Sequence, residues 1–293
     1  MPATPVTALV PAWNAEPFIK ATLDSLAAQD YPSLRVVISV DVSTDGTAEV
    51  CEAYAARDPR FRVIRQRVRQ GWVGNVNALL REVREGYCMF AFHDDLLDPP
   101  LVRELAARLD ANPRAVLAFS DMDTIDQAGV CKQQVYDALD GMADPVERGR
   151  RILHRRGCWW VPYRGLFRAS VGREIGGLRK HLAGEFSADW PWMLHLAVRG
   201  EFIRVPSTWV HKRYMRSSLS RTWAYSSPQW IAVTLSCFRE LLRARVPLRI
   251  KRALLPELGA CLWAVVRHMI MHHADRLRRR ITASGRLSSA SGG

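Results

Sequence analysis

Two adjacent carboxylates, Asp94 and Asp95, follow the apolar run Cys88-Met89-Phe90-Ala91-Phe92, with His93 immediately before them. Carboxylates side by side at a strand end repel each other unless a cation or a capped backbone offsets them, and hard oxygen donors of this kind suit Mg²⁺ or Mn²⁺. Helix capping is the competing use, but Asp98, directly before Pro99-Pro100, is the better placed cap. Asp41 closes a second apolar run, Leu34 to Val40, and leads into the turn Ser43-Thr44-Asp45-Gly46-Thr47. A carboxylate there can accept hydrogen bonds from a base imide or a ribose hydroxyl. No GxGxxG follows the first apolar run and no GxxxxGK(S/T) occurs anywhere. Dinucleotide and P-loop readings therefore lack their phosphate cradle.

The elements that must position these groups are legible from periodicity. Val6 to Val10, Leu34 to Val40, Phe61 to Ile64, Tyr87 to Phe92 and Ala115 to Ser120 read as strands. Between them, Pro17 to Gln29, Thr47 to Arg57, Val73 to Arg84 and Pro100 to Ala111 read as helices. Strands alternating with helices imply right-handed crossovers and a mainly parallel sheet. Such sheets bind ligands beyond the carboxyl ends of their strands. The polar segments Pro11 to Asn14, Asp41 to Asp45 and His93 to Asp95 all fall there. From Met122 to Ser226 the pattern is irregular. Beyond Pro228 it predicts two amphipathic helices, one marked by Ile231, Leu235, Phe238 and Leu242, the other by Leu258, Leu262, Val265 and Met269.

Taken in order, Val-Thr-Ala-Leu-Val-Pro-Ala-Trp-Asn (6–14), Ser-Leu-Ala-Ala-Gln-Asp-Tyr-Pro (25–32) and Val-Asp-Val-Ser-Thr-Asp-Gly-Thr (40–47) resemble the motifs of family-two inverting glycosyltransferases of the GT-A fold. Residues 70–77 resemble that family's "NxGxxxARN" stretch, and residues 92–99 its metal-binding "DADDLWDP". Residues 175–179 and 187–190 are similar to its "VGGFDE" and "EDWDL", so the likeness covers roughly residues 4–222. It implies an α/β GT-A fold with a C-terminal helical extension. It also implies a nucleotide-sugar site at Pro11, Ala12, Trp13, Asn14, Asp41, Asn77 and Asp94, and a Mg²⁺ or Mn²⁺ ion on Asp95 and Asp94. Asp189 falls on the catalytic base. Three positions depart from the pattern. Val40 replaces the first of two Asp residues. Val76 stands where many members have Arg, so that a donor-phosphate contact is lost or falls to Arg67 or Arg69. Met215 occupies the place of a His, which leaves His211 as the candidate third metal ligand.

Sugars present C–H faces to aromatic rings, and Trp190 and Trp192, flanking Asp189, are the candidate acceptor-binding residues. His268 and His272 share a helix face with His273 beside them, but no HExxH glutamate accompanies them, and they read as helix surface.

The chain has 293 residues and a formal charge of +13, of which +9 lies after Tyr225, where 12 Lys/Arg face 3 Asp/Glu. That length excludes a disulfide-stapled mini-protein, and the six scattered cysteines, without CxxC spacing or a signal peptide, predict a reduced cytoplasmic protein. No run of 18 uncharged apolar residues occurs, and Leu258 to Ile270 carries Arg267, which argues against a membrane span. The basic amphipathic segment 226–281 suits peripheral contact with an anionic membrane, on its inner face. No nucleic-acid module is readable, so nucleic acid is not an expected partner. The expected organisation is a GT-A domain over 1–225, with a nucleotide-sugar half to about 121 and an acceptor half from 122. A helical extension over 226–281 and a Ser/Gly/Ala-rich disordered tail over 282–293 follow.

The expected activity is metal-dependent, inverting transfer from a nucleotide-diphospho-sugar, UDP-linked, to the hydroxyl of a carbohydrate or lipid-linked acceptor in cell-surface polysaccharide or glycolipid synthesis. The alternative is a catalytically silent scaffold of the same fold that binds a partner or a membrane surface.

Overall fold

Nearly every residue of strand β1 (Val6–Ala12) and of β2 (Leu34–Val40) is buried, which requires helices on both faces of the sheet they form. A computed structural model describes residues 2–290 except 127, 128, 130, 156 and 215–217; the side chains of Cys131 and of residues 272–290 are outside the description. Helix α1 (Glu16–Ala27), α2 (Thr47–Ala55), β3 (Phe61–Arg65), α3 (Gly71–Leu80) and β4 (Tyr87–Phe90) complete the alternating first part. The short strand β5 (Leu96–Leu97), α4 (Leu101–Ala111), β6 (Ala115–Ile125) and β7 (Cys131–Gln134) follow. Next come α5 (Pro145–Leu153), a 3-10 turn (Val161–Arg164), β8 (Leu166–Arg168), α6 (Ala169–Ile175), α7 (Asp189–Arg199) and β9 (Glu201–Arg213). The chain ends in α8 (Leu219–Thr222), α9 (Ser227–Arg243) and α10 (Leu248–Ala290).

The strands hydrogen-bond in the order β3-β2-β1-β4-β8-β6-β9-β5, with β7 paired to β6. Strands β1 to β4 pair in parallel, and β6 and β9 run the same way; β8, β5 and β7 are antiparallel insertions. The mainly parallel sheet expected from the sequence is present. One continuous sheet serves both expected halves, because β6 runs straight through residue 121 and β9 returns beside it.

The first 120 residues follow the expected elements to within a few residues at each end. The exception among them is β5, two residues long; beyond residue 120, β8 is likewise too short to show a period, and β9 is a long, mostly half-buried strand whose buried residues Phe202, Val205 and Val210 follow no period of two.

α9 buries Val233, Cys237 and Leu241, and packs against α7, while α10 seats Ile250, Leu254 and Leu258 on α5 and α9. Gly149 of α5 is what lets α10 approach: a Cβ there would meet Leu254 Cδ1 at 2.6 Å. The stretch Leu248–Met271 is long and apolar enough to cross a membrane by length and composition, with mean hydropathy 1.3. Its first half is instead anchored on the protein body. The helix continues to Ala290, into the segment whose composition predicts disorder; alanine, serine and leucine are all compatible with helix.

Candidate active site

The carboxyl ends of β1 and β2 are stitched together by short polar side chains. Asn14, held at φ +43°, accepts from Thr44 N–H at 2.9 Å, and Ala15 N–H donates to Thr47 Oγ1 at 2.7 Å. Pro11 and Ala12 lie buried in the floor, where the Pro11 carbonyl meets His93 Nδ1 at 2.9 Å. Trp13 projects above this floor, fixed by Nε1–H donation to the Val42 carbonyl at 3.0 Å, and the Arg69 guanidinium stacks 3.6 Å from its ring centroid. Arg69 also pairs with Asp41 at 3.2 Å. Trp13 and Arg69 thus form a flat, cationic ledge beside a buried carboxylate.

Asp41 is fully employed. Its oxygens accept from the N–H groups of Val42 (3.0 Å), Gln70 (2.8 Å) and Gly71 (3.0 Å). Glu185 accepts from the next two N–H groups, Trp72 at 3.2 Å and Val73 at 3.3 Å, and pairs with Lys180. The first four N–H groups of α3, which a helix leaves unpaired, are therefore all met by two carboxylates that also suit its positive end. Gly71 enters this helix at φ +73°, a conformation that costs glycine nothing.

The second carboxylate group lies beyond β4. Thr22 of α1 donates to the carbonyls of His93 and Asp95, both at 2.9 Å, and Gln29 bonds the carbonyls of Leu97 and Asp98 and the Val102 N–H. The turn is held from beneath by α1. Asp95 is buried, 2% exposed, and pairs through Oδ2 with Arg164 Nε at 2.6 Å, while its Oδ1 has no hydrogen-bond partner. Asp94 is the more accessible of the two. Burial raises the pKa of Asp95 against the lowering pull of Arg164.

Asp189 opens α7 close by, and the same basic groups, Arg164 and Lys212, act on it and on Asp95. Burial lifts the Asp189 carboxyl to about 6, despite hydrogen bonds from its own N–H and that of Trp190 and the nearby cations. Burial and Arg164 bring the Lys212 ammonium down to about 8, against the opposite pull of Asp95, Asp94 and Asp189. Three carboxylates and two basic side chains share one recess, which retains an excess of negative charge. The arrangement can take a proton from a hydroxyl and can hold a phosphate-bearing ligand.

Four expected placements change. Asn77 is spent on the backbone of Leu178, donating to its carbonyl at 2.8 Å and accepting from its N–H at 2.9 Å, so it fixes the Gly177–Leu178 loop to α3. Trp190 and Trp192 are 1% and 2% exposed. Trp190 donates to the Ile152 carbonyl, and Trp192 packs on Phe90, Tyr163 and Phe167, so neither offers a ring face to a sugar at the recess. His211 meets Asp123 at 2.8 Å and Asp98 at 3.1 Å through its two ring nitrogens. Successive strand residues point to opposite faces, so it is Lys212, not His211, that acts on the carboxylates. Val76 is fully buried in α3's core face, and Arg69 is the cation at this edge. Met215 lies outside the described residues, as do the side chains of His272 and His273. Among the described residues no cluster of three or more His, Cys, Asp or Glu could hold a metal ion by itself.

Residues 7–150 match the model of glycosyl transferase family 2. That match spans 144 of the chain's 293 residues. An uncharacterized protein of Sinorhizobium fredii is 29% identical over 186 residues, 63% of this chain and 19% of its own length. The uncharacterized glycosyltransferase EpsJ of Bacillus subtilis is 32% identical over 107 residues, 36% of this chain and 31% of its own. The chain thus spans a third or less of these two relatives. Among solved structures, Staphylococcus aureus TarS 1–349 in complex with UDP-GlcNAc superposes with TM-score 0.70 at 19% identity, over 89% of this chain and 73% of that one. The mannosyltransferase PcManGT of Pyrobaculum calidifontis, with GDP-Man and Mn²⁺, gives TM-score 0.54 at 16% identity, over 94% and 81%. The fold is GT-A. Arg164, Glu185 and Lys212 lie beyond the matched residues; with Gln29, they hold or border the candidate site without having been singled out by the motifs. Gln29 stands inside the 25–32 motif. Arg164 and Glu185 sit in irregular loops without a periodic signal.

Proposed function

We propose that the chain transfers a sugar from a nucleotide diphosphate, UDP-linked, to the hydroxyl of a carbohydrate or lipid-linked acceptor, with inversion at the anomeric carbon. The observation that carries this reading is the recess where Asp189, its carboxyl at about 6, shares Arg164 and Lys212 with Asp95. A group of that pKa is ionised at neutral pH yet basic enough to take a hydroxyl proton as it is displaced. In this reading the acceptor oxygen bonds to the anomeric carbon, its proton passes to Asp189, and the bond to the diphosphate breaks on the opposite face. Lys212 and Arg69 face the diphosphate's charge, and the Trp13–Arg69 ledge takes the base beside Asp41.

A divalent ion fits the residues present. Asp95 Oδ1 is a buried carboxylate oxygen without a partner, and Asp94 is accessible beside it. Mg²⁺ is commonly held by one or two carboxylates with substrate phosphates completing its shell, so two protein ligands suffice. Asp94 and Asp95 would hold it, and when bound it supplies charge neutralisation at the leaving diphosphate. Residues 1–225 are read as the catalytic body and 226–281 as its extension. Thermal shift with UDP, GDP and dTDP, with and without Mn²⁺, combined with nucleotide release by Asp189→Asn, tests the whole reading. UDP stabilisation that needs Mn²⁺, and loss of transfer in the folded variant, are expected. Unchanged melting with every nucleotide, or turnover retained by Asp189→Asn, would overturn it.

A further inference from the structure

A cavity of about 530 Å³ lies away from the donor ledge, where the end of α5 meets α9 and α10. Trp190, Tyr225 and Trp230 wall it, with Ala264 and Val265 contributed by α10. Arg155 is the arginine of this chamber, whose wall also carries His154 and His268. Its guanidinium stands 3.8 Å from the ring centroid of Trp230 and 4.8 Å from that of Trp190, and its backbone is held at φ +48°. A non-glycine residue in the left-handed region stores strain, and such strain gathers where a side chain must be aimed. No carboxylate among the described residues pairs with Arg155; Glu257 of α10 is taken by Arg150 and His154. An aromatic, largely apolar chamber with one uncompensated cation is matched to an anion that carries hydrocarbon.

What lies outside the chamber points the same way. Past Val265, α10 leaves the protein body, and Met269, Ile270 and Met271 stand exposed after Trp263, which is 61% exposed. Apolar helix surface bare on this scale marks an interaction site. Arg267 lies within this stretch, and in the sequence from Ser226 onward 12 Lys/Arg stand against 3 Asp/Glu. A bilayer interface accepts Trp and apolar flanks while arginines meet anionic head groups. The chamber also borders the catalytic recess, since Trp190 follows Asp189 directly and Tyr225 lies within electrostatic reach of it.

We propose that this cavity seats the phosphate-bearing end of an anionic membrane lipid, with Arg155 as its counter-charge and the Trp263–Met271 segment of α10 lying in the bilayer interface, so that the acceptor is lipid-linked. The naming of the acceptor rests on the transferase reading; the lipid site itself does not.

Flotation of the full chain with phosphatidylcholine vesicles, with and without phosphatidylglycerol, reads the surface. Tryptophan fluorescence during titration with monomeric short-chain phosphatidic acid, and separately with inorganic phosphate, reads the cavity. About tenfold tighter partition onto the anionic vesicles is expected, reduced by the pair Trp263→Ser and Ile270→Ser. The phosphatidic acid should shift the fluorescence of the parent chain and of Arg155→Lys, but not of Arg155→Gln at an unchanged thermal midpoint. Inorganic phosphate should give no shift. Equal partition onto both vesicles, an undiminished shift in Arg155→Gln, or the same shift with inorganic phosphate would each overturn the proposal. Turnover retained by Asp189→Asn would remove the transferase reading and leave these lipid readouts standing. Failure of the lipid readouts with Asp189-dependent turnover intact would do the reverse.

Discussion

Asp189 gives up its proton at about 6 in the folded chain, against 3.8 for the free side chain. Between those values the folded state holds the extra proton, so stability falls as pH rises through that window and stays reduced above it. The charge that makes Asp189 useful is therefore paid for in stability. Asp189→Asn should abolish transfer, by a factor of about 10³ or more. At neutral pH it should also raise unfolding stability by about 2 kcal/mol, a gain that vanishes below about pH 4. Denaturation at two pH values alongside a nucleotide-release assay measures both. Lys212, brought down to about 8, sets the other limb. The rate should climb through about 6 and decline through about 8, and Lys212→Arg should push the falling limb upward, because guanidinium does not titrate in this range. Removing Arg164 instead leaves Asp95 as a buried, unpaired charge. Arg164→Gln should cost about 3 kcal/mol, part of it regained in acid as Asp95 takes up a proton. These assignments were partly legible in the sequence. Asp41, Asp94, Asp95 and Asp189 announce themselves through their motifs, whereas Arg164 comes from a 3-10 turn whose place in the recess only the fold decides.

Elements act here by clamping loops rather than by offering side chains to ligand. Thr22 of α1 holds the Asp94–Asp95 turn, Gln29, just past α1, holds the Leu97–Val102 stretch that follows, and α3 has its amino end closed by Asp41 and Glu185. The motif around residues 25–32 reads as helix and turn, yet its glutamine is the piece that fixes the chain from Leu97 to Val102, just after the Asp94–Asp95 turn. Gln29→Ala leaves two buried carbonyls and the Val102 N–H without their side-chain partner. It should cost about 2–3 kcal/mol and raise the KM for donor more than it lowers kcat. Glu185→Ala releases two N–H groups of α3 and should cost about 1 kcal/mol, with the donor ledge loosened because Gly71 and Gln70 lie on the same turn. Strand and helix periodicity makes the first 120 residues readable, since every element there except the two-residue β5 is long enough to repeat. The second half resists because β8 spans three residues and β9 owes its place to pairing with β6. The tryptophans at 190 and 192 are ambiguous for a related reason. Their large apolar rings suit a sugar face and a core equally, and only the helix orientation decides.

At the scale of the whole molecule, the charge divides from the chemistry along α10. Its first part is structural: Ile250, Leu254 and Leu258 are buried, and Glu257 pairs with Arg150 and His154 of the α5 end. Each such apolar side chain contributes about 1.5–3 kcal/mol when buried. Ending the chain before Leu248 should therefore destabilise the fold by about 5 kcal/mol or more, and expose the α5 face that Gly149 keeps open. Ending it after Met271 removes five arginines and one aspartate, lowering the net charge by four, while every buried α10 contact named above remains. That shorter chain should melt at the same temperature as the parent and keep UDP-dependent stabilisation, yet elute from a cation-exchange matrix at distinctly lower salt, because exposed charges act through a screened field. The expectation follows from the positions of the groups: every residue assigned to the donor ledge and the carboxylate recess precedes Tyr214, and the stripped arginines follow residue 271. If the shorter chain melted early or lost its response to UDP, the basic end would be part of the catalytic body, and the division drawn between them would be wrong.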